Sequence, residues 1–265
     1  MKISVLMGIY NCADTLPAAI DCILQQTCPD WELIMCDDGS GDDTYAVAES
    51  YRRQYPDKIR LLKNEKNMGL NYTLNHCLRH ATGEFIARMD GDDLCMPERF
   101  AAELQALAEN PDMAVVSTPM EYFDENGTWG VGTAIERPQP ADLLRGTPFC
   151  HAPCMARRAA IEAVGGYTDD PKFLRVEDYD LWVKMYSAGF RGMNLTVPMY
   201  RMRDDRNAAA RRKFRHRINE ARVKGKAIRL LKLPVWNYVH VLRPILVGLL
   251  PMGLYTKLHK KRLEN

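Results

Sequence analysis

A chain of 265 residues with 46% hydrophobic and 26% charged side chains has the apolar content of a packed globular core and room for one sizeable α/β domain plus an appendage. Its eight cysteines, at 12, 22, 28, 36, 77, 95, 150 and 154, form no close pairs of the kind zinc ribbons use, which excludes such a ribbon and a disulfide framework and points to reduced thiols in the cytosol. The net charge of +2 hides an asymmetry: residues 201–265 carry 18 Lys and Arg against 4 Asp and Glu, a net +14, attached to a body that sums to −12.

Along the chain, strand-like and helix-like segments alternate. ISVLMGI is a β-branched, apolar run; Tyr10-Asn11 breaks it and no small-residue cleavage site follows, so no secretory signal is expected. TLPAAIDCILQQT spaces its apolar residues as a helix does, with Pro17 in the first turn, where a missing N–H costs little. WELIMCD then reads as strand, DDTYAVAESYRRQY as helix, KIRLLK as strand, GLNYTLNHCLRHA as helix and GEFIARMD as strand. MPERFAAELQALAEN, a helix expected to begin near Met96-Pro97, and the strand MAVVST complete the pattern. Such alternation implies parallel strands joined by helical crossovers. Beyond residue 120 come a hairpin around Asn126-Gly127, a Pro-rich loop with a short helix in RPQPADLLRGTPF, and VEDYDLWVKMYSAGF, a helix that opens with acids and can turn Leu181 and Met185 to the core.

In open α/β sheets ligands sit at the carboxyl ends of the strands. The residues placed there are Tyr10-Asn11, Asp37-Asp38, Asn64 to Gly69, and Asp90-Gly91-Asp92-Asp93. The last group crowds three carboxylates into four residues, which repel one another unless a cation is present. Hard divalent cations take carboxylate oxygens, and Asp90 and Asp92, with a glycine between them that lets backbone approach closely, suit Mg²⁺ or Mn²⁺. Helix capping is the plainer alternative for Asp92 and Asp93, although a cap needs one acid. An EF-hand does not fit: a loop from Asp90 has Ala101 at its twelfth position, and one from Asp38 has Asp43 where the sixth-position glycine belongs.

SVLMGIYN, DDGSGDDT, NEKNMGL, RMDGDD and VEDYDLW, in this order and at these intervals, resemble the inverting family 2 glycosyltransferases of GT-A fold, over roughly residues 3–200. The resemblance implies a Rossmann-like, mostly parallel mixed sheet flanked by helices. It also implies a metal-dependent enzyme that moves a sugar from a nucleoside-diphosphate donor, a UDP-sugar above others, to an acceptor hydroxyl with inversion. On that resemblance Tyr10, with Asn11 beside it, lies by the nucleobase, Asp38 accepts from the base edge, Asp37 orients the loop, and Asn67 and Gly69 border the nucleotide pocket. Asp90 holds the ribose or a metal-bound water, and Asp92 binds Mn²⁺ or Mg²⁺. Asp178 stands at the family's general-base position, with Glu177 the second choice. For DDGS and NMGL, turn chemistry is the competing role; for Glu177, Asp178 and Asp180 it is helix-start electrostatics.

The chain departs from the family where many relatives carry a His in a YRxH pattern: here Tyr200 to Arg203 read YRMR, leaving Arg203 to contact the diphosphate or Asp204 to replace the ligand. His151, beside Cys150 and Cys154, is expected to be structural. The expected division is a catalytic domain over 1–200, its nucleotide half about 1–95 and acceptor half about 96–200, followed by a basic, apolar helical extension over 201–265. Residues 201–232 are helix-compatible, with 13 Lys and Arg against 3 Asp and Glu, and the apolar runs beyond them are interrupted by His240, Arg243, Pro244 and Pro251, which disfavours a membrane span. The expectation is an amphipathic segment lying on the inner face of the membrane, which brings the site to a glycan or lipid-linked acceptor of surface polysaccharide assembly. The alternative is that these residues pack on the catalytic domain or on a second subunit in a homodimer. Two other functions compete: a metal-dependent phosphohydrolase using the clustered aspartates, and a nucleic-acid-binding module using RRKFRHR. The distant single base argues against the first and the acidic body against the second, so no nucleic-acid partner is expected.

Overall fold

The computed structural model describes residues 2–204 and 214–249. Seven strands form the central sheet: β1 (Ile3–Ile9), β2 (Trp31–Asp37), β3 (Ile59–Lys63), β4 (Phe85–Arg88), β6 (Met113–Ser117), β9 (Met155–Arg157) and β10 (Arg191–Asn194). Their spatial order is β10-β6-β9-β4-β1-β2-β3, all parallel to their neighbours except β9, which runs antiparallel to both β4 and β6. The result is the mostly parallel mixed sheet expected of a GT-A fold. A second, four-stranded sheet, in the order β5-β11-β7-β8, comprises β5 (Leu94–Cys95), β7 (Met120–Asp124), β8 (Gly127–Val131) and β11 (Tyr200–Arg203).

Period-two alternation along β1 sends its side chains into two separate cores. Ile3, Val5, Met7 and Ile9 pack with α1 (Leu16–Leu24), α2 (Thr44–Gln54) and α4 (Arg99–Glu109) through Leu16, Ile20, Ala48, Phe100 and Leu107. Leu6 joins Ile34 and Cys36 against α3 (Leu70–His80), α5 (Arg158–Ala163), α6 (Glu177–Ser187) and α7 (Phe214–Leu230). Both faces of the sheet are covered, which is why the strands read as continuous apolar runs. The register Ile9↔Asp37↔Lys63 and Leu6↔Arg88 brings the carboxyl ends of four strands to one edge.

Three sequence expectations need adjustment. Helix α4 starts at Arg99 with Glu98 at its N-cap, and β5 lies between it and Asp93, so Asp92 and Asp93 cap no helix. Strand β11 spans the division expected at residue 200, pairing with β5 and β7. Of the helix-compatible stretch 201–232, residues 201–203 are strand and 214–230 are helix α7. The apolar stripe of α7, Val223, Ala227 and Ile228, is buried in the same core as Leu181 and Trp182 of α6. A 3-10 turn (Val235–Tyr238) and α8 (Val239–Gly248) follow; Pro251 and the rest of the tail lie outside the described residues. No helix among the described residues is long and apolar enough to cross a membrane.

Candidate active site

The loops after β1 and β4 form a cleft of about 380 Å³ lined by Tyr10, Asn11, Cys12, Asp14, Asp42, Asp90, Asp92 and Arg203, among others. Tyr10 stands 48% exposed at its edge, a free aromatic face beside a polar cavity. Asn11 adopts a positive φ of 47° and ties two loops together: its N–H donates to Ser40 Oγ (3.0 Å) and its Oδ1 accepts from Gly41 N (2.9 Å). Asp37 is buried and accepts from Ser40 N, closing the DDGS turn. Gly39 has φ +73°, and a Cβ there would stand 2.8 Å from the Lys66 carbonyl carbon, so only glycine lets this turn meet the 64–69 loop.

Asp38 is nearly buried, and its carboxylate accepts from Asn64 Nδ2 (2.8 Å), Met68 N (2.8 Å) and Gly69 N (2.9 Å). Its bonds are thus drawn inward by the Asn67-Gly69 segment. Asn67 is exposed, and Gly69, φ +89°, begins α3. Asp37, Asp38, Asn67 and Gly69 all lie outside the cleft lining.

The acidic loop is built around charges that the protein itself partly answers. Arg88, buried at the end of β4, donates twice to Asp90, from Nη1 (2.8 Å) and Nη2 (2.5 Å). Asp93 accepts from Tyr200 OH (2.9 Å) and from Arg203 N (2.7 Å), so it fastens β11 to the loop. Burial, then the neighbouring Asp90 and Asp92, push its pKa up to about 8. Asp92 opens to solvent at the cleft, with its pKa raised by desolvation and by Asp90. Arg203 lines the same cleft and donates from Nε to Asp92 O (3.2 Å). A Cβ on Gly91 would lie 3.0 Å from Cys12 Sγ, a tight fit between the two aspartates.

Oxygen atoms of Asp90, Asp92 and Asp93 lie within 4.8 Å of one another, and a set of hard carboxylate donors at this separation fits a divalent cation such as Mn²⁺ or Mg²⁺. Of the three, Asp92 is the most exposed, Asp90 is shared with Arg88, and Asp93 is committed to β11.

On the other side of Arg88, α6 presents its acids in three different states. Asp180 is fully buried and accepts from Thr168 Oγ1 (2.6 Å) and Lys226 Nζ (2.5 Å), a structural role. Glu177 is 8% exposed, its Oε2 has no hydrogen-bond partner among the described residues, and desolvation followed by repulsion from Asp178 pushes its pKa up to about 7. Asp178 is half-buried. The loop before α6 is held by α3: Asn75 donates to Tyr167 O (2.8 Å) and accepts from Tyr167 N, and Asn71 donates to Thr168 O (2.7 Å). His151 Nε2 is hydrogen-bonded to Tyr167 OH (2.8 Å), and desolvation and Arg88 hold its pKa well below the usual histidine value, so it acts as a neutral structural group.

What escapes sequence reasoning is that Arg88 is buried against Asp90 and that Asp93 holds Tyr200 and Arg203, on a strand more than a hundred residues on. Asp42 also lines the cleft, and its position in the DDGSGDDT motif is the only sequence signal for it.

A family model described as "Glycosyl transferase family 2" matches residues 4–165. The "Putative glycosyltransferase EpsE" of Bacillus subtilis (strain 168) is 42% identical over 264 residues, covering 100% of this chain and 95% of that protein. The "UDP-Gal:alpha-D-GlcNAc-diphosphoundecaprenol beta-1,3-galactosyltransferase" of Escherichia coli is 29% identical, with 98% and 96% covered. Among solved structures, S. aureus TarS 1-349 in complex with UDP-GlcNAc superposes with a TM-score of 0.71 at 18% identity, over 94% of this chain and 72% of that one. The mannosyltransferase PcManGT from Pyrobaculum calidifontis, in complex with GDP-Man and Mn2+, gives 0.66 at 21% identity, over 100% and 81%.

Proposed function

The chain belongs to glycosyl transferase family 2 and is a glycosyltransferase, and from that premise we propose that it transfers a sugar, with inversion and metal dependence, from a UDP-sugar to a hydroxyl of a lipid-linked acceptor in surface polysaccharide assembly. The observation that carries this reading is the cleft at the carboxyl ends of β1 and β4, where an exposed aromatic ring, an open carboxylate and a guanidinium converge. UDP is favoured as the nucleotide because a relative's name specifies UDP-Gal and a solved neighbour holds UDP-GlcNAc.

In this scheme Tyr10 lies on the nucleobase, Asn11 fixes the loop that carries it, Asp37 orients the DDGS turn and Asp38 accepts from the base edge. Asn67 and Gly69 border the nucleotide pocket. Asp92, assisted by Asp90, would hold Mn²⁺ or Mg²⁺, which when bound would supply positive charge for the diphosphate leaving group. Arg203 adds a fixed positive charge at the same place, where many relatives have a histidine. Asp178 takes the proton of the attacking hydroxyl, since it is the acid of the first turn of α6 that is neither committed to Lys226 nor fully desolvated. Glu177, buried beside it with its pKa pushed up to about 7, is the second choice for the base. The enzyme works at the inner face of the membrane, where a lipid-linked acceptor presents its glycan.

Calorimetric titration of UDP-, GDP- and dTDP-sugars, each with and without Mn²⁺, tests the reading. Binding of a UDP-sugar that strengthens with the ion is expected. Equal affinity for all three nucleotides, unmoved by metal, contradicts it.

A further inference from the structure

The segment after α7 exposes more apolar side chain than any other part of the described structure. Val235 (77%), Trp236 (73%), Tyr238 (49%), Val239 (63%), Leu242 (55%) and Leu246 (62%) are all open to solvent. On α8 the last three stand at i, i+3 and i+7 and so share one face. The opposite side of α8 is already used: Pro244 is buried, and Gly248 lies so close to α7 that a Cβ would come within 2.9 Å of the Phe214 ring. A face of aromatic and aliphatic residues left uncovered on a helix fixed from behind marks a docking surface.

Charge decides between occupants. From Arg229 through Leu263, past the lysines of α7 whose charges are met inside the protein, the sequence holds seven Lys and Arg and no Asp or Glu. A second copy applied symmetrically would set this basic, acid-free segment against an equally basic one. A bilayer with anionic headgroups answers both features at once: apolar residues seat at the acyl boundary, Trp236 and Tyr238 at headgroup level, and the basic side chains on the phosphates.

We propose that the face formed by residues 235–246 is the membrane-docking surface of this protein and rests in the interface of an anionic bilayer without crossing it. The proposal deepens the reading of a lipid-linked acceptor, and the structure supplies a mechanical link to it. Helix α7, against which α8 packs, is tied to the body by Lys224 Nζ donating to Leu144 O (2.9 Å) and by Lys226 donating to Asp180 of α6. Docking therefore sets the height and tilt of the helix that begins with Glu177 and Asp178. The basic helix α7, by contrast, buries its apolar stripe in the protein and does not insert.

The test is flotation of the full chain with phosphatidylcholine vesicles, with and without phosphatidylglycerol. The wild type is expected to float with the anionic vesicles only. A triple variant, Trp236→Ser, Leu242→Ser, Leu246→Ser, should lose binding by at least about tenfold, as loss of inserted apolar area predicts. It should still release UDP at the wild-type rate with a soluble acceptor. A Lys232→Glu, Arg243→Glu variant, which keeps the apolar face, should lose the preference for anionic lipid. Equal flotation of wild type and triple variant overturns the proposal, as does flotation of neither. A dimer in sedimentation equilibrium that the triple variant dissolves overturns it in favour of a second copy. Flotation uses no donor, so failure of sugar transfer leaves this result standing and failure of flotation leaves the enzyme reading standing.

Discussion

Lys226→Met isolates the fastening between the C-terminal helix and the helix of the proposed base. Asp180 is fully buried with two donors, Thr168 Oγ1 and Lys226 Nζ. Removing one partner of a fully buried ion pair costs about 3–5 kcal/mol, because the remaining charge stays desolvated. Two features of this site reduce that figure. The Lys226 side chain is 22% exposed, so water reaches the gap it leaves. Asp180 also keeps the Thr168 bond and its place in the first turn of α6, where the helix dipole favours an anion. The expected cost is therefore about 2–3 kcal/mol. At about 2–4 °C per kcal/mol for a chain of this size, Tm should fall by about 4–12 °C in scanning calorimetry. Adding Asp180→Asn should recover part of the loss, since a neutral amide oxygen still accepts from Thr168. The coupling in the double-mutant cycle should be about 1–2 kcal/mol. Activity of the single variant should drop in kcat more than in KM, as α6 shifts. A Tm within about 1 °C of wild type, or purely additive variants, would refute the account of α7 as part of the catalytic body.

Other expectations follow from the same geometry. Asp92→Asn should abolish most Mn²⁺-dependent turnover with Tm unchanged, because it removes a ligand charge at an exposed position; an unaltered Mn²⁺ titration counts against the assignment. Asp178→Asn should bind donor as the wild type does but transfer sugar about 10²–10⁴-fold more slowly, the scale of general-base catalysis. If Glu177→Gln is the more damaging change, the two roles are exchanged. Glu177 also predicts a pH dependence of stability. Its pKa is about 7 folded against 4.5 unfolded, so both states are protonated below 4.5 and no penalty exists there. Stability falls as pH rises from 4.5 to 7 and stays reduced above. Urea melts of Glu177→Gln should lack that fall and show a gain of about 1–3 kcal/mol at pH 8; parallel profiles for variant and wild type would show that burial does not strain this carboxyl.

Much of the sheet was legible because each of β1, β2, β4 and β6 is a short apolar run flanked by turn residues, and burial on both faces demands that composition. The strand ends were legible too, since polar groups appear there where packing does not require them. What stayed hidden depended on distant partners. Asp93 reads as one more acid of a cluster, yet its role is to hold Tyr200 and Arg203. Asp38 reads as a base contact, and nothing in the sequence signals that its carboxylate also accepts from the Asn64 side chain and from Met68 N and Gly69 N of a loop about thirty residues on. The basic count of α7 suggested a helix lying on headgroups. It concealed an apolar stripe and lysines whose charges are met within the protein, Lys224 by Glu220 and Lys226 by Asp180. Net charge is a property of composition, whereas burial depends on which few positions face the core.

Sugar transfer itself is the most direct test of the central claim. Purified full-length protein, UDP-sugars, Mn²⁺ and a diphosphoprenyl-linked sugar acceptor should give UDP release matched by a product of inverted anomeric configuration. EDTA should stop the reaction, fresh Mn²⁺ should restore it, and Asp178→Asn should fail under both conditions. Transfer that persists in EDTA, or a product that retains the donor's configuration, would contradict the account.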